Sequence, residues 1–429
     1  MREMKYSGIE WLGDIPQDWN IKKVKNIVRR KNEKNRPDEQ VLSLYRDLGI
    51  VIKDDRNDNF NVTSENTENY KFVEANDLVV NKMKAWQGSI AVSSYQGIVS
   101  PAYYVYHFID NKICPRYVHY VLRCKAYLPE YRRLSGGIRL GQWDLSDENF
   151  RNIPLPLPQS IAEQKRIADY LDCKCSQIDA IIYNQEAIVG KLENYRLSII
   201  TDAVTKGLNP NAELASSGIS WISEFPRHWS SLALKNATDF ITCGVASTPE
   251  YTEKENGVLF LSAQNVKFGY MDYSSENYIT RELHNTLTRK RKPRKGDLLQ
   301  VRVGATIGNV AIVDTEQDFS VYVSLTHMRS NEKVTNRYLM YCLLCPLFKQ
   351  SAISHVDFAG SQGNLNVADL RALKIPIPPK EEQIAICNFL DKKLSKIDKY
   401  IETTQTIIKS FTDFKSSLIY EVVTGKKEI

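Results

Sequence analysis

The chain repeats itself, and that constrains its fold more than any other feature. Residues 7–19 read SGIEWLGDIPQDW and residues 217–229 read SGISWISEFPRHW. Ser7/Ser217, Gly8/Gly218, Ile9/Ile219, Trp11/Trp221, Pro16/Pro226 and Trp19/Trp229 are identical at a constant offset of 210. A second repeat relates IPLPLPQSIAEQKRIADYLD at 153–172 to IPIPPKEEQIAICNFLD at 375–391. From Gln164/Gln383 its offset is 219, and this holds through Ile178-Asp179/Ile397-Asp398 to Val204-Thr205/Val423-Thr424. The chain is therefore two half-chains, each a variable block followed by a helical block. The expected division is 1–152, 153–206, 207–374 and 375–429.

The helical blocks have a coiled-coil period. In the first, Ile167, Leu171, Lys174, Ile178, Ile181, Gln185, Ile188, Leu192, Tyr195 and Ile199 follow alternating steps of four and three, the a/d pattern of a seam. The second repeats it as Ile386, Leu390, Lys393, Ile397, Tyr400, Thr404, Ile407, Phe411, Phe414 and Leu418, polar at the same two positions as the first. A polar residue in a seam fixes register at some cost in stability. Each helix follows an Ile-Pro-x-Pro run, whose prolines favour an extended backbone. Each ends near a glycine, Gly207 or Gly425, that can adopt a left-handed cap. About 40 residues at 1.5 Å rise make a rod of roughly 60 Å. Antiparallel pairing of two such rods gives approximate two-fold symmetry within one chain, with the rods separating two α+β domains.

The variable blocks share a plan. EANDLVV at 74–80 matches RKGDLLQ at 294–300, so Asp77 corresponds to Asp297. A polar loop with a glycine turn follows each, then β-branched and aromatic runs that read as strands, then a helix, then a glycine-rich polar loop. Lys82, Lys84, Trp86 and Gln87 form one group of cations, amides and aromatics, and Arg139, Gln142 and Trp143 another. In the second block Arg302 precedes Gly304, and Gln362, Asn364 and Asn366 lie in the glycine-rich closing loop. Arginine and lysine pair with guanine, and glutamine and asparagine with adenine, through bidentate hydrogen bonds. Arg289, Lys290, Arg291, Lys292, Arg294 and Lys295, like Arg29, Arg30 and Lys31, suit phosphate. Any one charge run is commonly a solvated face; recurrence at equivalent places in both blocks argues for DNA.

Catalysis by this chain is not expected. It has no GxxxxGK[ST] phosphate loop, no Asn- or Asp-Pro-Pro-aromatic tetrapeptide and no triad or metal spacing among its six histidines. FAGSQG at 358–363 imitates a glycine-rich loop without a convincing α/β cofactor unit around it. Cys342 and Cys345 form a lone C-x-x-C without a second ligand pair, so no metal is expected. With 42% hydrophobic residues the chain can build more than one core, and a net charge of +6 is compatible with nucleic acid without demanding it. No signal-peptide pattern and no apolar run of membrane-spanning length occurs, which points to the cytoplasm and away from a membrane.

In this order of parts the chain resembles the specificity subunit of type I restriction-modification systems. The resemblance rests on the two W-x-x-x-x-P-x-x-W segments, on the two IP-x-P…EQ…LD helices and on NKMKAWQGSIAVSSYQGIVSPAYYVY at 81–106. It implies two target recognition domains, each reading one half of a bipartite, asymmetric sequence in double-stranded DNA. It implies helices that set the gap and dock methyltransferase subunits, usually two, with motor-nuclease restriction subunits completing the complex. S-adenosylmethionine, ATP and magnesium would belong to those partners, and this chain would hold no cofactor. Two other classes stay open from the residues alone: a coiled-coil adaptor that binds proteins, and a nuclease with an unrecognised site.

Overall fold

The apolar runs after Asp77 and Asp297 become central strands of two sheets with the same topology. The computed structural model describes residues 2–55, 67–137, 143–245, 249–275, 277–354 and 364–429. Unit 1 comprises Met1–Glu186 and Gln405–Ile429, and unit 2 comprises Ala187–Thr404, so each takes in a globular part and half of each long helix. Unit 1 holds β1 (Val28–Lys31), β2 (Leu78–Asn81), β3 (Ile90–Val92) and β4 (Tyr103–Phe108), in the order β1-β4-β2-β3. Unit 2 holds β5 (Thr238–Cys243), β6 (Leu298–Val301), β7 (Val310–Ile312) and β8 (Leu325–Ser330), in the order β5-β8-β6-β7. All these pairs are antiparallel.

Side chains alternate across a strand, and here each face has its own core. In β2, Leu78 and Val80 join the large core of unit 1, while Val79 joins a smaller one with Leu42, Leu44 and Val105. In β6, Leu298 faces the large core of unit 2, and Leu299 and Val301 face a smaller one with Leu259 and Phe319. Because both faces are covered, apolar residues follow one another along both strands, interrupted within β6 by the buried Gln300.

The Ile-Pro-x-Pro runs are extended, as their prolines dictate, and each is also paired. Pro154–Leu157 lies antiparallel to Asn20–Lys23, and Lys374–Ile377 to Ser230–Ala233. Two shorter helices, α1 (Pro115–Arg123) and α3 (Asn336–Leu344), occupy equivalent places in the two large cores, where Tyr117 and Tyr338 are fully buried.

The long helices are α2 (Ile161–Lys206) and α4 (Lys380–Val423). Their least exposed stripe alternates steps of four and three: Gln164, Ala168, Leu171, Cys175, Ile178, Ile182, Gln185, Val189, Leu192, Arg196, Ile199 and Ala203. Adding 219 gives the stripe of α4, Gln383 through Leu394, Ile401, Ile408 and Lys415 to Val422. Leu171, Ile178, Leu192, Leu390, Ile397 and Phe411 lie on it as expected from the period, and Ile167 and Ile386 are buried beside it. Lys174, Ile181, Ile188, Lys393 and Ile407 are exposed, because every second seam position falls one residue later than the reading above. The doublets Ile181-Ile182 and Ile188-Val189 offer two phases of equal apolarity, and packing against the domain cores selects the later one.

In each unit the two helical halves run antiparallel. In unit 1, Asp179 of α2 pairs with Lys415 of α4 at 2.6 Å, while Ile167 shares a cleft with Gly425. In unit 2, Arg196 of α2 pairs with Asp398 of α4 at 3.1 Å, while Lys206 shares a cleft with Ala385 and Ile386. The two ion pairs are the same pair repeated, since Asp179 corresponds to Asp398 and Arg196 to Lys415.

The repeated motifs lock the helix ends. Gly207 and Gly425 have φ of +74° and +70°, the left-handed cap that glycine adopts without penalty. A Cβ on Gly425 would lie 2.2 Å from Pro16 Cγ, and one on Gly207 3.0 Å from the Trp229 ring, so each tryptophan-proline segment closes over a helix-ending glycine. The Trp19 and Trp229 indoles donate to Glu163 and Glu382, at 3.3 and 2.8 Å. The buried Gln164 accepts from the Cys114 amide and donates to the Lys112 and Pro158 carbonyls. Gln383 does the same with the Thr335 amide and the Lys333 and Pro378 carbonyls. Cys114 and Thr335 precede α1 and α3, so one glutamine ties the start of the long helix to the start of the short one.

Candidate nucleic-acid interface

Asp77 and Asp297 close the tight turns that launch β2 and β6. Asp77 accepts from the Glu74 amide at 2.9 Å and from Lys31 at 3.3 Å; Asp297 accepts from the Arg294 amide at 2.9 Å. Asp297 also receives His327 at 2.7 Å and Arg329 at 2.6 and 2.9 Å. Burial pushes the Asp77 carboxyl above the ordinary aspartate value despite the Glu74 amide and Lys31. Burial acts on Asp297 in the same direction, but hydrogen bonds from His327 and Arg329 outweigh it and hold that carboxyl below. The turns aim the loops that follow β2 and β6.

Those loops meet the block-closing loops through the same backbone bond in both units. The Leu145 amide donates to the Lys82 carbonyl at 3.0 Å, and the Leu365 amide to the Arg302 carbonyl at 2.9 Å. In unit 1 this unites groups far apart in sequence. Trp86 and Trp143 lie 5.7 Å apart between ring centroids, and Arg132 stands 5.9 Å over Trp86. Lys82 pairs with Asp144 at 3.0 Å, which raises its ammonium above the ordinary lysine value. Lys84 is exposed and Gln87 half-buried. Arg139 and Gln142 fall outside the described residues.

Beside this pair is a cationic cluster around Tyr104. Arg30 stands 4.7 Å from its ring centroid and Lys71 5.9 Å. Burial, together with Arg30, Lys34 and Lys82, lowers the Lys71 ammonium to about 8. The sequence reading included Arg30 but missed Lys71, Lys34 and Tyr104. The available signal was the alternation in Tyr104-Val105-Tyr106, which puts both tyrosines on one face of β4 opposite the Arg30 strand.

In unit 2, Arg289, Lys290, Arg291 and Lys292 are exposed. Arg291 covers the Phe240 ring at 4.4 Å, and Lys292 pairs with Asp318 at 2.5 Å. Arg302 differs from the expectation of a base contact. It is 8% exposed and its Nε donates to the Leu365 carbonyl at 3.0 Å, so it holds the loop that carries the exposed Asn364. Gln362 falls outside the described residues. Gln300 and Thr326, paired across β6 and β8, each bury a polar oxygen that has no hydrogen-bond partner among the described residues.

The arrangement suits binding more than bond-making. It offers cations, a pair of mutually tilted indoles and amides on a rigid sheet, the elements of phosphate, base-edge and stacking contacts. Among the described residues no group of three or more His, Cys, Asp or Glu side chains could hold a metal ion. Among them, too, no helix is long and apolar enough to cross a membrane.

Comparison with known proteins gives one answer. The model of the type I restriction modification DNA specificity domain matches residues 16–188 and again 246–410. The MjaVIII specificity subunit of Methanocaldococcus jannaschii is 23% identical over 423 residues, covering 96% of this chain and 93% of that one. The EcoKI specificity subunit of Escherichia coli K12 is 18% identical over 442 residues, covering 96% and 90%. A solved structure from work on complex assembly and conformational transition of the type I R-M system aligns with a TM-score of 0.68 at 14% identity. It covers 95% of this chain and 98% of its own, which shows a common fold. The chain thus belongs to the type I restriction-modification DNA specificity family, the non-catalytic subunits that bind DNA by sequence and scaffold methyltransferase and restriction subunits.

Proposed function

We propose that each unit reads one half of a split, asymmetric sequence in double-stranded DNA. In unit 1 the contacts come from Lys82, Lys84, Trp86 and Gln87, and from Arg139 and Gln142. In unit 2 they come from Arg289, Lys290, Arg291 and Lys292 and from Gln362 and Asn364, with Arg302 holding Leu365 beside Asn364. The main support is the shared junction: in both units one backbone bond joins the loop after the central strand to the closing loop. Frame and junction repeat while the side chains they present do not, as two readers of different sequences require.

Two methyltransferase subunits are the proposed complement, one for each repeat. Unit 1 exposes Ile181, Ile407 and Phe414 on its helical halves; unit 2 exposes Tyr400, Ile188 and Tyr195. The sets correspond one to one at the offset of 219, and exposed apolar residues spaced by heptads favour a helical partner. S-adenosylmethionine, ATP and magnesium chemistry would lie in those partners and in the restriction subunits, in the cytoplasm where the DNA is.

Co-expression with the cognate methyltransferase subunit, followed by mapping of modified adenines across the host genome, tests this. One split motif that disappears without this chain is expected, and exchange of residues 207–374 should change one half of it only. A motif unaltered by the exchange would refute the division of labour between units.

A further inference from the structure

Among its described residues, unit 1 buries an amine with no carboxylate paired to it. Lys71, on the strand Lys71–Val73, is 6% exposed. An ammonium has three N–H donors, yet among the described residues the hydrogen bond recorded for this one goes to the Tyr103 carbonyl. The charged groups that act on it, Arg30, Lys34 and Lys82, are all of its own sign. The nearby carboxylates are engaged elsewhere: Asp144 with Lys82, and Asp147 with Arg30, Arg151 and the Tyr106 hydroxyl. Burying a cation without a counter-ion is costly, and like charges around it add to the cost. A fold that needed only packing would fill this position with an apolar side chain.

We propose that Arg30, Lys71 and Lys82, gathered around the Tyr104 ring, form a subsite for one backbone phosphate of bound DNA. This rests on unit 1 being a DNA-binding unit. A phosphodiester supplies a negative charge and two acceptor oxygens for the Lys71 donors that have no acceptor among the described residues. Lys82 begins the loop that carries Trp86, so a phosphate held here sits next to the paired indoles. Such a contact carries no sequence information, but it fixes the register in which the neighbouring side chains meet the bases. Lys34, exposed at the rim, adds to the field. Because burial, together with Arg30, Lys34 and Lys82, depresses the Lys71 ammonium in the free protein, an arriving phosphate restores its proton, and DNA binding takes up protons at mildly alkaline pH.

The test uses the full chain with its methyltransferase partner and a short mixed-sequence duplex. Affinity is measured against salt, and proton uptake by calorimetry at about pH 8.5 in buffers of different ionisation enthalpy. The wild type should take up a fraction of a proton. Lys71→Met should take up none, and its plot of log affinity against log salt should be shallower by about 1. Lys71→Arg, which keeps the charge without titrating, should keep the slope and lose the uptake. Arg30→Gln, at an exposed position, guards against a folding defect and should also flatten the slope. If Lys71→Met and Arg30→Gln both show wild-type slope and uptake while the wild type binds with a clear salt dependence, the subsite is wrong and the DNA reading of unit 1 stands. If the wild type shows no salt-dependent binding, that reading falls and the subsite with it.

Discussion

Units 1 and 2 are built on one frame and present different chemistry on it. Sheet order, the tryptophan-to-glutamate bond, the buried glutamine, the glycine cap and the helix ion pair all recur at matching positions. The presented surface does not. Six residues before the turn aspartate, unit 1 buries Lys71 against Tyr104, whereas unit 2 exposes Arg291 over Phe240. The constant features are those that satisfy buried polar groups or fill a core, where a change costs stability. The variable ones lie where the cost of change is borne by binding, so one scaffold can serve two different half-sites.

The frame itself is not equally tight in the two units, and the largest expected effect tests this. An alanine at Gly425 meets both a left-handed backbone and the rigid Pro16 ring at 2.2 Å, while at Gly207 the nearest atom is the edge of Trp229 at 3.0 Å. Gly425→Ala should cost about 3 kcal/mol or more, and Gly207→Ala about 1–2 kcal/mol. Hydrogen exchange under mild denaturant reports the two units separately. Loss of protection should be confined to unit 1 peptides in the first variant and to unit 2 in the second. Equal costs would mean that the two caps are interchangeable after all.

The turn aspartates sharpen the comparison through pH. The Asp297 carboxyl lies below its unfolded value near 3.8, so its contribution is complete above that value and is lost as pH falls through the folded one. The Asp77 carboxyl lies above 3.8; the folded state binds the extra proton, so its contribution grows as pH falls toward 3.8. Protection in unit 2 should therefore weaken in acid with an Asp297 component, and unit 1 should show the opposite sign at Asp77. At neutral pH, Asp297→Asn strands Arg329 and His327 and should cost about 2–4 kcal/mol, against about 1 kcal/mol for Asp77→Asn. Identical pH profiles for the two variants would erase the distinction.

Much of the frame was legible in the sequence because it is encoded locally. Proline runs, glycine caps and apolar periods each act through their own backbone or helix face, and the offsets of 210 and 219 expose the duplication. The phase of the helix seam was not legible, because Ile181-Ile182 and Ile188-Val189 satisfy either choice and only packing on the cores decides. The candidate site reads in the sequence as two separate groups. What joins them is a backbone bond from Leu145 to Lys82, and no side-chain pattern encodes it. Lys71 was invisible for a similar reason: in Lys71-Phe72-Val73 a lysine reads as the solvent face of a strand, and only the fold shows it buried among cations.

The helix ion pairs should give the smallest effect, and the two units should differ even there. Lys415 and Asp179 have side chains 29% and 56% exposed, so water screens their attraction, and Lys415→Met should cost about 0.5 kcal/mol or less. Arg196 sits deeper. Its guanidinium lies 4.5 Å over Phe268, and its Nε is buried without an acceptor among the described residues. Arg196→Met exchanges a partly desolvated cation for a flexible apolar side chain of similar length, which should be neutral or mildly stabilising, within about 1 kcal/mol. Double-mutant cycles with Asp179→Asn and Asp398→Asn isolate the pair terms. A coupling near zero in both units would assign the repeated pairs to register rather than strength, since a misaligned antiparallel helix leaves each cation without its aspartate. A coupling of several kcal/mol in unit 2 alone would instead make the Arg196 pair a buried strut, and the two helical halves would then differ in kind rather than in degree.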